Sequence, residues 1–156
     1  MLMYLIGEMS HSEPALTTPT VVYLYKAFLA NDLAQVIKLI KSIFKNIPSQ
    51  IFISEAEAYY HSLIYLVFFY LGQYTQSEVN TSDVRLDCVV ESPTHIYILE
   101  FKLDQSAAAA LQQIKTRGYH EKYAADPRHK MLVGINFSRQ SKTVDDWVAE
   151  VVTGDR

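Results

Sequence analysis

The 156-residue chain is predicted to fold as an α/β domain: a mixed sheet of four or five strands flanked by helices, with a helical segment ahead of it. Three observations predict this. The elements run helix, three-strand meander, helix, strand, and a long helix between two strands of one sheet is a crossover that sets those strands parallel while the meander stays antiparallel. Val84 to Lys102, VRLDCVVESPTHIYILEFK, alternates with period two about a Ser92-Pro93-Thr94 turn, which reads as a hairpin. With 49% apolar and 20% charged residues, the chain has ordinary globular composition and enough length for one real core.

Residues 1–20 carry the punctuation Ser12-Glu13-Pro14 and Thr17-Thr18-Pro19 and read as loop. Thr18 caps a helix with Pro19 in its first turn, running through Ala30 and ending at Asn31. Asp32 caps a second helix, in which Leu33, Val36, Ile37, Ile40 and Ile43 or Phe44 form one apolar stripe, and Pro48 stops it. Ser54 and Glu57 make a capping box that opens a helix from about Glu55 to Leu71, closed by Gly72. Beyond Leu63 its apolar residues fall on nearly every face, so burial on more than one side is expected. Gln73 to Val79 reads as a half-exposed strand, with a turn at Asn80 to Asp83 before the hairpin. Asp104 caps a long helix whose Ala107 to Ala110 run permits close packing and which breaks near Asp126-Pro127. Met131 to Phe137 is a buried central strand, and TVDDWVAEVV is one more strand or a short helix. The chain thus divides into a helical segment over 1–50 and an α/β unit over 51–156.

A net charge of −3 argues against a protein that coats nucleic acid by bulk electrostatics. It is compatible with a carboxylate-lined site that meets a phosphate backbone through a local basic surface. The single cysteine, Cys88, allows no intramolecular disulfide and, by alternation, faces away from Asp87 as a buried structural thiol. Met1 to Gly7 lacks the features of a secretory signal, and the apolar run Leu63 to Leu71 falls short of the ~20 residues a membrane span needs. A cytoplasmic location is expected. Eleven tyrosines and seven phenylalanines lead us to expect exposed apolar surface and homodimerisation through it.

Asp87, Glu100 and Lys102 are the charged residues that core packing does not require. Glu100 and Lys102 project to one face of their strand, Tyr97, Leu99 and Phe101 to the other, and pairing of the hairpin brings Asp87 opposite Glu100 with Cβ atoms ~5 Å apart. Two carboxylates at that separation repel by roughly 3 kcal/mol at an effective dielectric near 20. A cation relieves the repulsion, and Mg²⁺ commonly takes one or two protein carboxylates, water and substrate phosphate. Lys102 would then hold the attacking water or the developing charge on phosphorus. The other reading is a cross-strand salt bridge between Lys102 and a carboxylate.

An Asp, some twelve residues and then Glu-x-Lys resembles the active-site signature of the PD-(D/E)XK nuclease superfamily. Here EAYYHSLIYLVFFYLGQYTQSEV, VRLDCVV, IYILEFKL and ALQQIKTRGYHEKY resemble the domain found C-terminal to AAA-ATPase-like domains in bacterial proteins, over Glu57 to about Trp147. One departure is Val84, where the family usually has glycine before the arginine. The resemblance implies a restriction-endonuclease-like αβββαβ core and a Mg²⁺ site, with Mn²⁺ as a substitute. It gives catalytic roles to Glu57, Asp87, Glu100, Lys102, Gln113 and Tyr119, with Asp87 and Glu100 as the metal ligands. It implies a metal-dependent nuclease with DNA as the expected substrate. The basic segment Lys115, Arg117, Lys122, Arg128 and Lys130 has two readings, a solvated helix face or contact with phosphates flanking the scissile bond. No GxxxxGK[ST] phosphate loop occurs here, so an ATPase-like partner belongs to relatives or to a longer form of this protein. A function of another class stays open, a catalytically decayed module that binds nucleic acid or a protein partner.

Overall fold

Five strands, β1 (Gln76–Ser82), β2 (Arg85–Glu91), β3 (His95–Leu103), β4 (His129–Ser138) and β5 (Thr143–Val151), form one sheet in sequence order. Helices α1 (Thr18–Leu29), α2 (Leu33–Lys45) and α3 (Ser49–Leu71) precede it, and α4 (Ala107–Arg117) with a 3-10 turn (Tyr119–Tyr123) crosses from β3 to β4. The computed structural model describes residues 18–45, 49–82 and 85–153, with side chains described over 19–45, 59–81 and 86–153. The expected reading of residues 1–17 as loop and of Pro48 as a helix stop lies outside the described residues. β1, β2 and β3 form the antiparallel meander, β4 lies parallel to β3, and β5 returns antiparallel to β4. This is the expected mixed α/β sheet flanked by helices, and the ambiguous TVDDWVAEVV is its fifth strand. No described helix is long and apolar enough to cross a membrane.

Period-two alternation sorts the sheet into two faces. Leu86, Cys88 and Val90 of β2, Tyr97, Leu99 and Phe101 of β3, and Val133, Ile135 and Phe137 of β4 join α1, α2 and α3 in one apolar core. The opposite face carries Val89, Ile96, Ile98 and Leu132 under Ile114 of α4. The α2 stripe is as expected, with both Ile43 and Phe44 buried, and Asp32 Oδ1 accepts from the Gln35 amide at 3.1 Å. Tyr97 ties the end of α1 to β3, its hydroxyl donating to the Phe28 carbonyl at 2.9 Å and to Asn31 Oδ1 at 2.8 Å.

Four element boundaries differ from expectation, each for a local reason. α3 begins at Ser49, so Ser54 and Glu57 are interior to the helix and form no capping box; once nucleated, a helix gains one bond per added residue, and nothing in Gln50–Ser54 interrupts it. Tyr65 and Phe69 stay exposed, so α3 keeps one open stripe. β1 starts three residues late because Gln73, Tyr74 and Thr75 donate back to Tyr70 and Leu71 carbonyls as a last helical turn, and Asn80 to Ser82 is strand rather than turn. Ser106, not Asp104, caps α4, accepting from the Ala109 amide at 3.0 Å, while Asp104 sits at φ 53 and accepts from the Arg139 amide at 2.9 Å. α4 ends at Gly118 rather than near Asp126, because Gly118 takes the left-handed conformation (φ 65) and closes the helix with bonds to Ile114 and Lys115.

Gly134 decides how close α4 comes. A Cβ there would meet the Ala107 carbonyl and would lie 2.7 Å from the Leu111 amide nitrogen and 3.2 Å from the Ala110 methyl. The alanine run and the glycine therefore form one contact, backbone against backbone. Gly134→Ala is expected to cost on the order of 3 kcal/mol, since backbone cannot yield as a flexible side chain can, read as the shift in the urea unfolding midpoint. A loss below about 0.5 kcal/mol, the level of an ordinary surface change, would show that α4 is not held against the strand.

Candidate active site

The register of the sheet builds the site. Asp87 of β2 pairs with Glu100 of β3, Glu100 with Gly134 of β4, and Asn80 of β1 with Asp87, so four strands contribute to one row on the α4 face. Lys102, next along that face, pairs with Asn136. Asp87 is 2% exposed and Glu100 is fully buried. Glu100 lies on the inner strand beside the row position where α4 presses on Gly134, so neither water nor a neighbouring backbone donor reaches it.

Both Glu100 oxygens lack a hydrogen-bond partner. Lys102 Nζ stands 3.6 Å from Glu100 Oε1, an ion-pair distance too long for a hydrogen bond. Asp87 is better supplied, with Asn80 Nδ2 donating to its Oδ2 at 3.1 Å. Burial pushes the Glu100 carboxyl up to about 7; the Lys102 charge opposes this, Asp87 adds to it, and Arg117 opposes it. Two buried carboxylates side by side, one without hydrogen bonds, form a site whose charge is compensated inside the protein only by a lysine beyond bonding distance. The donor set is all oxygen, which suits a hard divalent cation, and two carboxylates suffice where water and phosphate complete the shell. Among the described residues no group of three or more His, Cys, Asp or Glu is placed to hold a metal.

The other predicted residues fall into three groups. Arg117 lies near enough for its charge to act on Glu100, and its Nη1 donates to the Tyr119 hydroxyl at 2.7 Å, so both stand at the C-terminal end of α4 on the site's face. Half-buried Gln113 is one turn before Arg117 on the same side of the helix, opposite the flank where Lys115 pairs with Glu150 at 2.7 Å. Arg128 and Lys130 are elsewhere: Lys130 is four residues from Gly134, about 13 Å along the strand. Arg128 pairs with Glu91 at 2.6 Å and Asp126 at 2.7 Å, and Lys130 donates to the Asp126 carbonyl. Lys122 is exposed, its Nζ 5.6 Å from the Tyr123 ring centre. Glu57 belongs to α3, and its side chain lies outside the described residues. Cys88 is buried on the opposite face, where burial, then Asp87 and Glu100, pushes its thiol well up, as befits a structural thiol.

Sequence reasoning missed Asn80 and Gly134. Asn80 was assigned to a turn, although counting the meander back from Asp87 would have set it opposite. A glycine inside an apolar strand marks close backbone approach, and Gly134 carried that signal.

A carboxyl raised above its unfolded value binds its proton more tightly in the folded chain, so its contribution is full below the ordinary 4.5 and is lost as pH climbs through about 7. In EDTA the protein is expected to lose on the order of 3 kcal/mol of unfolding free energy from this group between about pH 5 and pH 8. Glu100→Gln is expected to flatten that slope; a slope unchanged in the variant would place the titration elsewhere.

A profile of the PD-(D/E)XK nuclease superfamily matches residues 55–147. The chain is also 37% identical over 144 residues to a protein of Azotobacter chroococcum mcd 1 described as "Uncharacterized protein in vnfD 5'region". That match covers 88% of this chain and 28% of the relative, so the chain spans little more than a quarter of that protein's length. No solved structure matches. Most of the chain, including the whole Asp87–Glu100–Lys102 row, lies within the matched family region, and the chain belongs to the PD-(D/E)XK nuclease superfamily.

Proposed function

We propose that the protein is a Mg²⁺-dependent nuclease that hydrolyses phosphodiester bonds in DNA. The observation that carries this is Glu100, fully buried with neither oxygen hydrogen-bonded, facing Asp87 across the ladder with Lys102 beside it. Asp87 and Glu100 hold the divalent ion, and Mn²⁺ can replace Mg²⁺. Bound there, the cation makes a coordinated water more acidic and neutralises charge on the phosphoryl oxygens. Lys102 donates to the attacking water or to the phosphoryl oxygen on which charge grows, and its own charge keeps Glu100 from holding a proton in the loaded site. Asn80 keeps Asp87 oriented. Gln113 and Tyr119 line the approach from α4, and Glu57 adds an acidic group from α3.

Arg117 and Lys122 serve the phosphates next to the scissile bond. Lys115, Arg128 and Lys130 are already paired with Glu150, Glu91 and the Asp126 segment. They meet phosphate further along the duplex by exchanging those partners. The helical segment 1–50 is the place where an ATPase-like region would join in longer relatives, and the site of action is cytoplasmic.

The test incubates the purified protein with supercoiled plasmid, linear duplex, single-stranded DNA and RNA under Mg²⁺, Mn²⁺ or EDTA. Wild type is expected to cleave DNA with either metal and not in EDTA, and Asp87→Ala and Lys102→Ala are each expected to lose on the order of a hundredfold or more in rate. Equal cleavage by wild type and both variants would assign the activity to a contaminant. Nucleic-acid binding that survives EDTA without any cleavage would instead establish a decayed binding module.

A further inference from the structure

The two edges of the sheet are unlike. β5 carries Asp145, Asp146 and Glu150 and a register shift against β4 at Asn136/Phe137, devices that keep an edge from recruiting another strand. β1 has neither safeguard. Its sequence, QSEVNTS, holds one charge, no lysine and no proline, and it pairs with β2 without interruption from Gln76 to Ser82. No described strand pairs with its outer edge. Beside that edge α3 leaves Tyr65 and Phe69 43% and 54% exposed, their rings stacked at 6.0 Å, lining a cavity of about 550 Å³ shared with Gly72, Ser77 and Val79.

We propose that β1 pairs antiparallel with β1 of a second copy of this chain, about a two-fold axis at Val79, and that the paired copies act on duplex DNA with one site on each strand. Val79 is the middle of the strand, so this register pairs all seven residues: Val79 with Val79, Glu78 with Asn80, Ser77 with Thr81 and Gln76 with Ser82. The one carboxylate meets an amide instead of its own copy, whereas a register centred on Glu78 would oppose two like charges. Ser77, Val79 and Thr81 lie on the α3 side, so the pairing brings the two α3 helices together and covers the Tyr65 and Phe69 stripe.

The consequence for the site rests on the nuclease reading above. A two-fold axis normal to the sheet keeps both Asp87–Glu100 pairs on one face. They lie three strand spacings apart and two residues offset, about 16 Å. That is the scale of a groove of duplex DNA, ~12 Å wide for the major groove. The strands of a duplex are antiparallel and related by local two-fold axes, so a two-fold pair of sites presents the same geometry to each strand.

The 156-residue chain is expected to sediment at twice its 17.8 kDa mass at micromolar concentration. Phe69→Glu, at an exposed position, is expected to be a folded monomer by circular dichroism and mass. Val79→Cys should oxidise with diamide to a covalent dimer, its own copy lying directly opposite about 5 Å away. Thr81→Cys should not, because its copy lies four residues along, about 13 Å. The native thiol, Cys88, is buried and does not compete. A monomeric wild type, or Thr81→Cys crosslinking as readily as Val79→Cys, overturns the interface. On supercoiled plasmid, wild type should yield linear product with little nicked intermediate, and Phe69→Glu should accumulate nicked circles. Identical product patterns overturn the pairing of sites. Absence of all cleavage overturns the nuclease reading and the duplex assignment with it, while mass and crosslinking still decide the interface.

Discussion

A carboxylate is held in the middle of this fold without hydrogen bonds. Glu100 sits on the strand between β2 and β4, covered by α4 on its own face and with the α1, α2 and α3 core behind it. Leaving such a group charged and unpaired is among the more expensive things a core can do, and the rest of the structure supplies the offset. Tyr97, Leu99 and Phe101, alternating with Ile96 and Ile98, bury apolar side chains on both faces of β3 and fix its register. A one-residue slip would turn Glu100 into the aromatic core and Leu99 toward Asp87, so apolar packing and site geometry enforce the same register.

Two close approaches convert that register into a confined site. The alanine run against Gly134 seats α4 directly over the strands, and the left-handed turn at Gly118 ends the helix so that Arg117 and Tyr119 remain beside the carboxylates. On the other side Asn80 supplies the hydrogen bond to Asp87 that Glu100 lacks. The two acids are therefore unequal: one is oriented by an amide and the other is kept bare by burial. Such a division suits a site in which an exogenous ligand satisfies what the protein leaves unmet.

Much of this was legible in the sequence. The alternation through VRLDCVV and IYILEFK carries the hairpin register, the two faces and the opposition of Asp87 to Glu100, because period two leaves little choice once one face must be apolar. The crossover and the parallel β4 followed from element order. What misled was end chemistry. Ser54 with Glu57, and Asp104, look like caps in isolation, yet the helices start at Ser49 and are capped by Ser106, since elongation and tertiary packing outweigh a single capping bond of about 1 kcal/mol. The basic segment misled differently. Sequence shows Arg128 and Lys130 as available cations, while the 126–130 turn uses both to hold itself to Glu91 and the Asp126 carbonyl.

The central claim, that Asp87 and Glu100 form a divalent-cation site, is tested most directly by calorimetric titration of Mn²⁺ into the metal-free protein, beside Asp87→Asn and Glu100→Gln, variants that keep side-chain size and remove charge. One site in the wild type, lost in both variants while their circular dichroism is unchanged, is the predicted result. Wild-type binding that persists undiminished in both variants would contradict it.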